Sequence, residues 1–282
     1  MKTDADDPFS YAGPGDPLWK RLAIGAVERA SGARRIDRLY RARQAEGWRE
    51  GGAQSFFRTA LSALSTDVRY SEERLARIPR DGALVVVSNH PFGVLDGIAM
   101  CALMERARPD FLVLTNSILM RGPEMRERML PVDFAETRQA QRTNVESRAR
   151  AIEHVTRGGC MVVFPAGAVA TSPDRWGREP AVDGPWSPFA ARLVRSGSAS
   201  VLPVRFDGQN SRLFQIASHI HPNLRLGLFF HEVRRRIGTA MDVAIGDAAP
   251  FEAFAHMDRA RLLAELRARV DALAGNDQPR PR

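Results

Sequence analysis

One segment of the chain combines residue types and spacing that suit proton chemistry. The apolar run Ala83-Leu84-Val85-Val86-Val87 leads into Ser88-Asn89-His90-Pro91-Phe92-Gly93-Val94-Leu95-Asp96-Gly97, and an apolar helical pattern follows from Ile98 to Met104. In α/β sheets ligands gather beyond the carboxyl ends of strands, which is where His90 stands. Pro91 and Gly93 suit a turn that brings His90 and Asp96 together across five intervening residues. A general base and the carboxylate that orients it need that proximity. The same residues have a purely structural reading, with Asp96 capping the helix that starts near Gly97 and His90 packed in the turn.

Two other features suggest different chemistry. His219 and His221 in Ser-His-Ile-His-Pro could join His90 and Asp96 as ligands in a metal-dependent hydrolase, but the ligand set is incomplete and no metal is expected. The formal charge of +8 and pI near 10.5 point to polyanionic partners and admit a nonenzymatic lipid-binding or nucleic-acid-binding protein. The positive charge is almost all arginine, Lys2 and Lys20 being the only lysines, and it is dispersed rather than gathered into a nucleic-acid module. A nucleic-acid partner is therefore not expected. Cys101 and Cys160 lie inside apolar runs and read as small buried hydrophobes.

The elements that must position His90 and Asp96 follow from pattern. Residues 1–16 read as a mobile leader. A helical region spans 17–66, with helices opening at Pro17, near Arg35 and near Ala53. Residues 67–274 alternate short β-branched runs with helical patterns, the signature of an α/β domain with a mostly parallel sheet flanked by helices. The runs are Asp67 to Tyr70, Ala83 to Ser88, Phe111 to Thr115, Cys160 to Phe164, Ser200 to Phe206 and Met241 to Ile245. Helices are expected over Leu95 to Ala107, Asn144 to Arg157, Pro188 to Ser196, Arg225 to Ile237 and Met257 to Ala274, and residues 275–282 as a disordered tail. Pro203 within a β run is normally confined to an edge, an end or a bulge, so it signals a shaped site wall rather than ordinary sheet.

The string Asn-His-Pro-Phe-Gly-Val-Leu-Asp-Gly resembles the first motif of the glycerolipid, or lysophospholipid, acyltransferase superfamily, and especially its ornithine-lipid or hemolysin-like branch. Most of that superfamily places four residues between His and Asp, and the five found here are a variation associated with the branch. Cys160 to Thr171 contains Phe164-Pro165-Ala166-Gly167, similar to the family's Phe-Pro-Glu-Gly acceptor motif, with alanine at Ala166 and Ala168 where acids are common. Ser117 to Asp133 corresponds to the second motif, with Arg121 as the candidate for holding an acceptor phosphate. Val201 to Ser211 resembles the last motif and contributes Pro203, Arg205 and Asn210.

The resemblance implies an O-acyltransferase that moves a fatty acyl group from acyl-CoA or acyl carrier protein to a lyso-lipid hydroxyl. His90 would be the base and Asp96 its orienter, Gly93 would shape the turn or supply an oxyanion amide, and Phe164, Pro165, Gly167, Pro203, Asn210 and Arg121 would contact the acceptor, with no cofactor beyond the thioester. The N-terminus lacks a secretory pattern, and no run reaches the about 18 to 20 apolar residues of a spanning helix. The expected location is thus the cytoplasmic face of a membrane. An anionic lipid surface would be met by the Trp19 helix or by Leu224 to Ile237, whose Leu226, Leu228, Phe229 and Phe230 neighbour Arg225 and Arg234 to Arg236.

Overall fold

The computed structural model describes residues 56–117, 127–220 and 222–275. The leader, the helices expected from Pro17 and Arg35, Arg121, His221 and all but the first residue of the expected tail lie outside them. Seven strands are described: β1 (Asp67–Arg69), β2 (Leu84–Ser88), β3 (Leu112–Asn116), β4 (Met129–Val132), β5 (Cys160–Val163), β6 (Ser200–Phe206) and β7 (Ala240–Ile245). They form one sheet in the order β1-β7-β6-β2-β5-β3-β4. All neighbours pair parallel except β6 with β7.

The helices are α1 (Phe56–Ala63), α2 (Glu72–Ala76), α3 (Val94–Ala107), α4 (Arg138–Thr156), α5 (Phe189–Ser196), α6 (Arg212–Ile220), α7 (Pro222–Arg236) and α8 (Arg259–Asp271). Both faces of the central strands are covered, so these strands read as unbroken apolar runs. Alternate residues feed two cores. Leu84, Val86, Val162, Leu202 and Val204 pack with Phe57, Leu95, Met100 and Phe111 on one face. Val85, Val87, Met161, Val163 and Val201 pack with Val155, Leu193, Leu262 and Leu266 on the other.

Register sets where the chemistry sits. Leu84 lies opposite both Cys160 and Ser200, and Val87 opposite both Val163 and Pro203, so β2, β5 and β6 start and finish nearly level. Their carboxyl ends open together onto the His90 turn, the Phe164 turn and the loop after Phe206. Pro203 is buried in an interior strand. Its carbonyl accepts from Gly246 N at 2.9 Å, just beyond the end of the β6–β7 ladder at Ile245. The return bond that proline cannot donate would fall at this ladder end, which is how the sheet accommodates it.

The opposite end of the sheet is fastened by one buried cation. Arg108, at 1% exposure, grips Asp110 through Nε and Nη2, both at 2.8 Å, and also donates to the carbonyls of Pro79 and Gly158. Asp110 Oδ2 in turn accepts from Cys160 N at 3.1 Å, tying the entries to β2, β3 and β5. Burial pushes the Cys160 thiol up to about 12 and raises that of Cys101 further, so neither is a nucleophile.

The Arg108 guanidinium holds the Asp110 carboxyl below its usual range. Asp110 therefore contributes stability above the unfolded carboxylate pKa, and that contribution is lost as pH falls through the depressed folded value. Asp110→Asn should cost roughly 1–3 kcal/mol at pH 7, less than a fully buried pair because Asp110 keeps 42% of its side-chain surface in solvent. In thermal unfolding, the gap between wild type and variant should close as pH drops below about 4.

Candidate active site

His90 lies two residues beyond β2 and Asp96 in the first turn of α3. The turn between them reverses at Gly93, whose φ of 81° is open to glycine and strained for other residues. A Cβ on Gly93 would also stand 2.8 Å from the Phe229 ring and 2.9 Å from Val169. Asp96 is fully buried, and its Oδ2 accepts from Phe92 N at 2.8 Å and Gly93 N at 3.2 Å. Its Oδ1 is 3.0 Å from His90 Nδ1. This contact is close but not aligned as a good hydrogen bond, and neither atom has another hydrogen-bond partner. One Asp96 oxygen thus caps the turn and the other faces the imidazole.

That arrangement corrects one expectation. The Gly93 amide is bonded to Asp96 and is not available as an oxyanion donor; its part in the site is to shape the turn. The amide of His90 is likewise taken, donating to Asp183 Oδ1 at 3.1 Å.

The imidazole is held from several sides. The ring of Phe164, just past β5, lies 4.4 Å from it between centroids, tilted by 34°. The His90 carbonyl accepts from Ala170 N at 2.8 Å. Asn89 fixes the turn to the last residue of β6, donating to Phe206 O at 2.9 Å and accepting from Phe206 N at 2.8 Å. Asp183 also accepts from Trp186 Nε1 at 3.0 Å, and burial raises its carboxyl despite these bonds. The side chain of His90 is 19% exposed, so Nε2, the nitrogen turned from Asp96, belongs to a ring that solvent and substrate can reach.

Helix α7 crosses this turn. Phe229 packs against Gly93, and Arg236 places its guanidinium carbon 3.6 Å from the Phe92 ring centroid. Arg225 Nη2 donates to Val169 O at 2.6 Å, in the segment that follows the Phe-Pro-Ala-Gly turn. Phe230 and Val233 are buried. The expectation that Phe229 and Phe230 face a lipid surface is therefore corrected: this part of α7 packs on the protein, because the turn around Gly93 needs an apolar roof.

The other expected residues divide. Pro165 is buried and its carbonyl accepts from Ser187 N at 2.8 Å. Gly167, with φ 65°, is exposed with nothing within 4 Å of the position of a Cβ. Pro203 packs its ring against Gly246, and its described contacts do not include the His-Asp pair. Arg205 is committed to Asp207 and Asp271, each at 3.4 Å. Asn210 is 1% exposed and both side-chain amide atoms lack partners among the described residues. His219 Nε2 sits 2.8 Å from Ser172 O, and no group of three or more His, Cys, Asp or Glu residues able to hold a metal occurs among the described residues. Asn89, Asp183, Arg225 and Arg236 were not singled out as site residues; Asp183 lies 93 residues from His90 with no pattern to connect them.

The family described as Acyltransferase matches residues 47–233. A solved structure of the 1-acyl-sn-glycerophosphate (LPA) acyltransferase, PlsC, from Thermotoga maritima superposes over 79% of this chain and 78% of that one, with a TM-score of 0.50 and 17% identity. At that identity the likeness concerns the fold. No curated protein matches the sequence.

Asp96→Asn separates capping from orientation. The asparagine oxygen can still accept from the Phe92 and Gly93 amides, but its NH₂ would then face His90 Nδ1 and favour the tautomer protonated at Nε2. Turnover should fall about 10²-fold or more while the melting temperature moves little, as measured by steady-state kinetics and thermal unfolding.

Proposed function

Because the chain belongs to the acyltransferase family, we propose that this enzyme moves a fatty acyl group from a thioester, acyl-CoA or acyl carrier protein, to the hydroxyl of a lyso-lipid of the lysophosphatidic acid or lyso-ornithine lipid kind. The observation that carries the reading is the buried Asp96 carboxylate 3.0 Å from His90 Nδ1, at the end of a central strand. Neutral His90, protonated at Nδ1, takes the acceptor hydroxyl proton on Nε2 as the oxygen attacks the thioester carbonyl. The new C–O bond forms, the C–S bond breaks, and the proton passes to the departing thiolate. Asp96 fixes the tautomer and stabilises the imidazolium. No step requires a metal.

Acceptor contacts fall to the turn at Phe164, Pro165 and Gly167 and to Asn210. Gly167 is exposed with open space at its Cβ position, so a headgroup can approach this turn, while its amide is spent on Phe164 O at 2.9 Å. The unpartnered amide of Asn210 is a buried polar group that would gain from one. Ala166 and Ala168 provide no carboxylate, so a cationic headgroup has no counter-charge from those positions. A peripheral encounter with lipid is supported by exposed Trp176, Leu213, Ile220 and Leu224, with Arg175 over the Trp176 ring and Arg212 bonded to the Trp176 carbonyl. No described helix is long and apolar enough to cross a membrane.

His90→Ala should lower thioester consumption in the presence of lyso-lipid by at least about 10²-fold with a near-wild-type melting temperature. Thiol release and mass spectrometry of the acylated product measure it. Transfer that survives the substitution would end the assignment.

A further inference from the structure

We propose that Arg225 is the residue that receives the anionic group of a substrate, a phosphate or a carboxylate, at the His90 site. This rests on the acyl-transfer reading and adds to it a cation contributed from α7 rather than from the segment around Arg121.

Two contact routes join Arg225 to the catalytic turn. Its Nη2 donates to Val169 O, while the N–H of the same peptide, on Ala170, donates to the His90 carbonyl. The guanidinium is therefore one peptide unit from the His90 backbone. The second route runs through rings: Arg225 stands 5.6 Å from the Phe214 centroid, Phe214 is 5.4 Å from Phe229, and Phe229 closes on Gly93.

What sets Arg225 apart is its missing counter-charge. Arg108 has Asp110, and Arg205 has Asp207 and Asp271. Arg236, also half-buried, feels the charges of Glu232 and Asp96. Arg225 is half-buried with no carboxylate against it among the described residues, and burial alone lowers its pKa. A guanidinium has five N–H donors, and the described structure uses one. A desolvated cation with donors to spare costs free energy until an anion meets it. The planar fork suits a phosphate or carboxylate in two-point contact.

The alternative is that Arg225 only fastens the 164–171 segment through Val169. Binding measurements that need no turnover separate the two. The full chain and its Arg225→Met and Arg225→Lys variants are titrated calorimetrically with sn-glycerol 3-phosphate and with pantetheine 4′-phosphate, alongside neutral glycerol and pantetheine. Arg225→Met should weaken binding of one phosphate by about tenfold or more, and Arg225→Lys by less, relative to its neutral counterpart. Selective loss for glycerol phosphate assigns the acceptor headgroup to Arg225, and selective loss for pantetheine phosphate assigns the donor. Equal weakening of charged and neutral ligands, or no change for either phosphate, overturns the proposal. Failure of the acyl-transfer reading itself would show differently, as Arg225-dependent phosphate binding in a protein that transfers no acyl group.

Discussion

Asp96 is the residue on which the site depends, because a fully buried carboxylate must be satisfied on both oxygens or cost several kcal/mol. One oxygen is satisfied by the Phe92 and Gly93 amides, and that fixes the path of the turn. The other stands 3.0 Å from His90 Nδ1, and an N–H on that nitrogen, brought into line, is what would satisfy it. Structure and chemistry are thus two halves of one group. With five residues between His90 and Asp96, the chain must reverse before α3 begins, and Gly93 supplies the reversal.

The sheet converts this local arrangement into a rigid one. Parallel β2, β5 and β6 are in nearly level register, so the turns that leave them meet at one rim. Asn89 couples the His90 turn to Phe206 by two hydrogen bonds, and Phe164 brings its ring to the imidazole directly from β5. Asp183 holds the His90 amide and is itself held by Trp186. Each of these ties begins on a different element, so the position of His90 is over-determined.

The parts legible in the sequence are those whose signal is local. His90 and Asp96 lie in one contiguous string between an apolar run and a helical pattern, and the central strands announce themselves as β-branched runs. Strand β4 escaped notice because Met129-Leu130-Pro131-Val132 has one β-branched residue and a proline, which an edge strand tolerates. Helix α4 starts at Arg138 rather than near Asn144, since Thr137 caps it through Ala140 N while its first turns carry mostly polar residues. Short α6 was missed outright; it buries Gln215, which binds Ser172 N, at a position that pattern reading assigns to solvent. Asp183 and Arg225 were beyond reach for a different reason: tertiary folding alone sets them beside His90 or its turn.

Helix α7 shows how periodicity can be read correctly and still assign the wrong surroundings. Its apolar residues suggested a lipid-facing side with arginines turned outward. The spacing of Arg225, Phe229, Glu232 and Arg236, however, places them along one stripe of a helix, and that stripe is directed at the His90–Asp96 turn and the segment beside it: Arg225 to Val169, Phe229 to Gly93, Arg236 to Phe92. Glu232, 3% exposed, meets Ser211 through both its amide and its hydroxyl. Apolar residues of similar volume would pack such a stripe without the desolvation cost of its three charged side chains, and buried ionic groups are weak contributors to stability. Hydrophobic pattern identifies which residues prefer to leave water; it does not say whether a guanidinium beside them faces solvent, a carboxylate or a substrate.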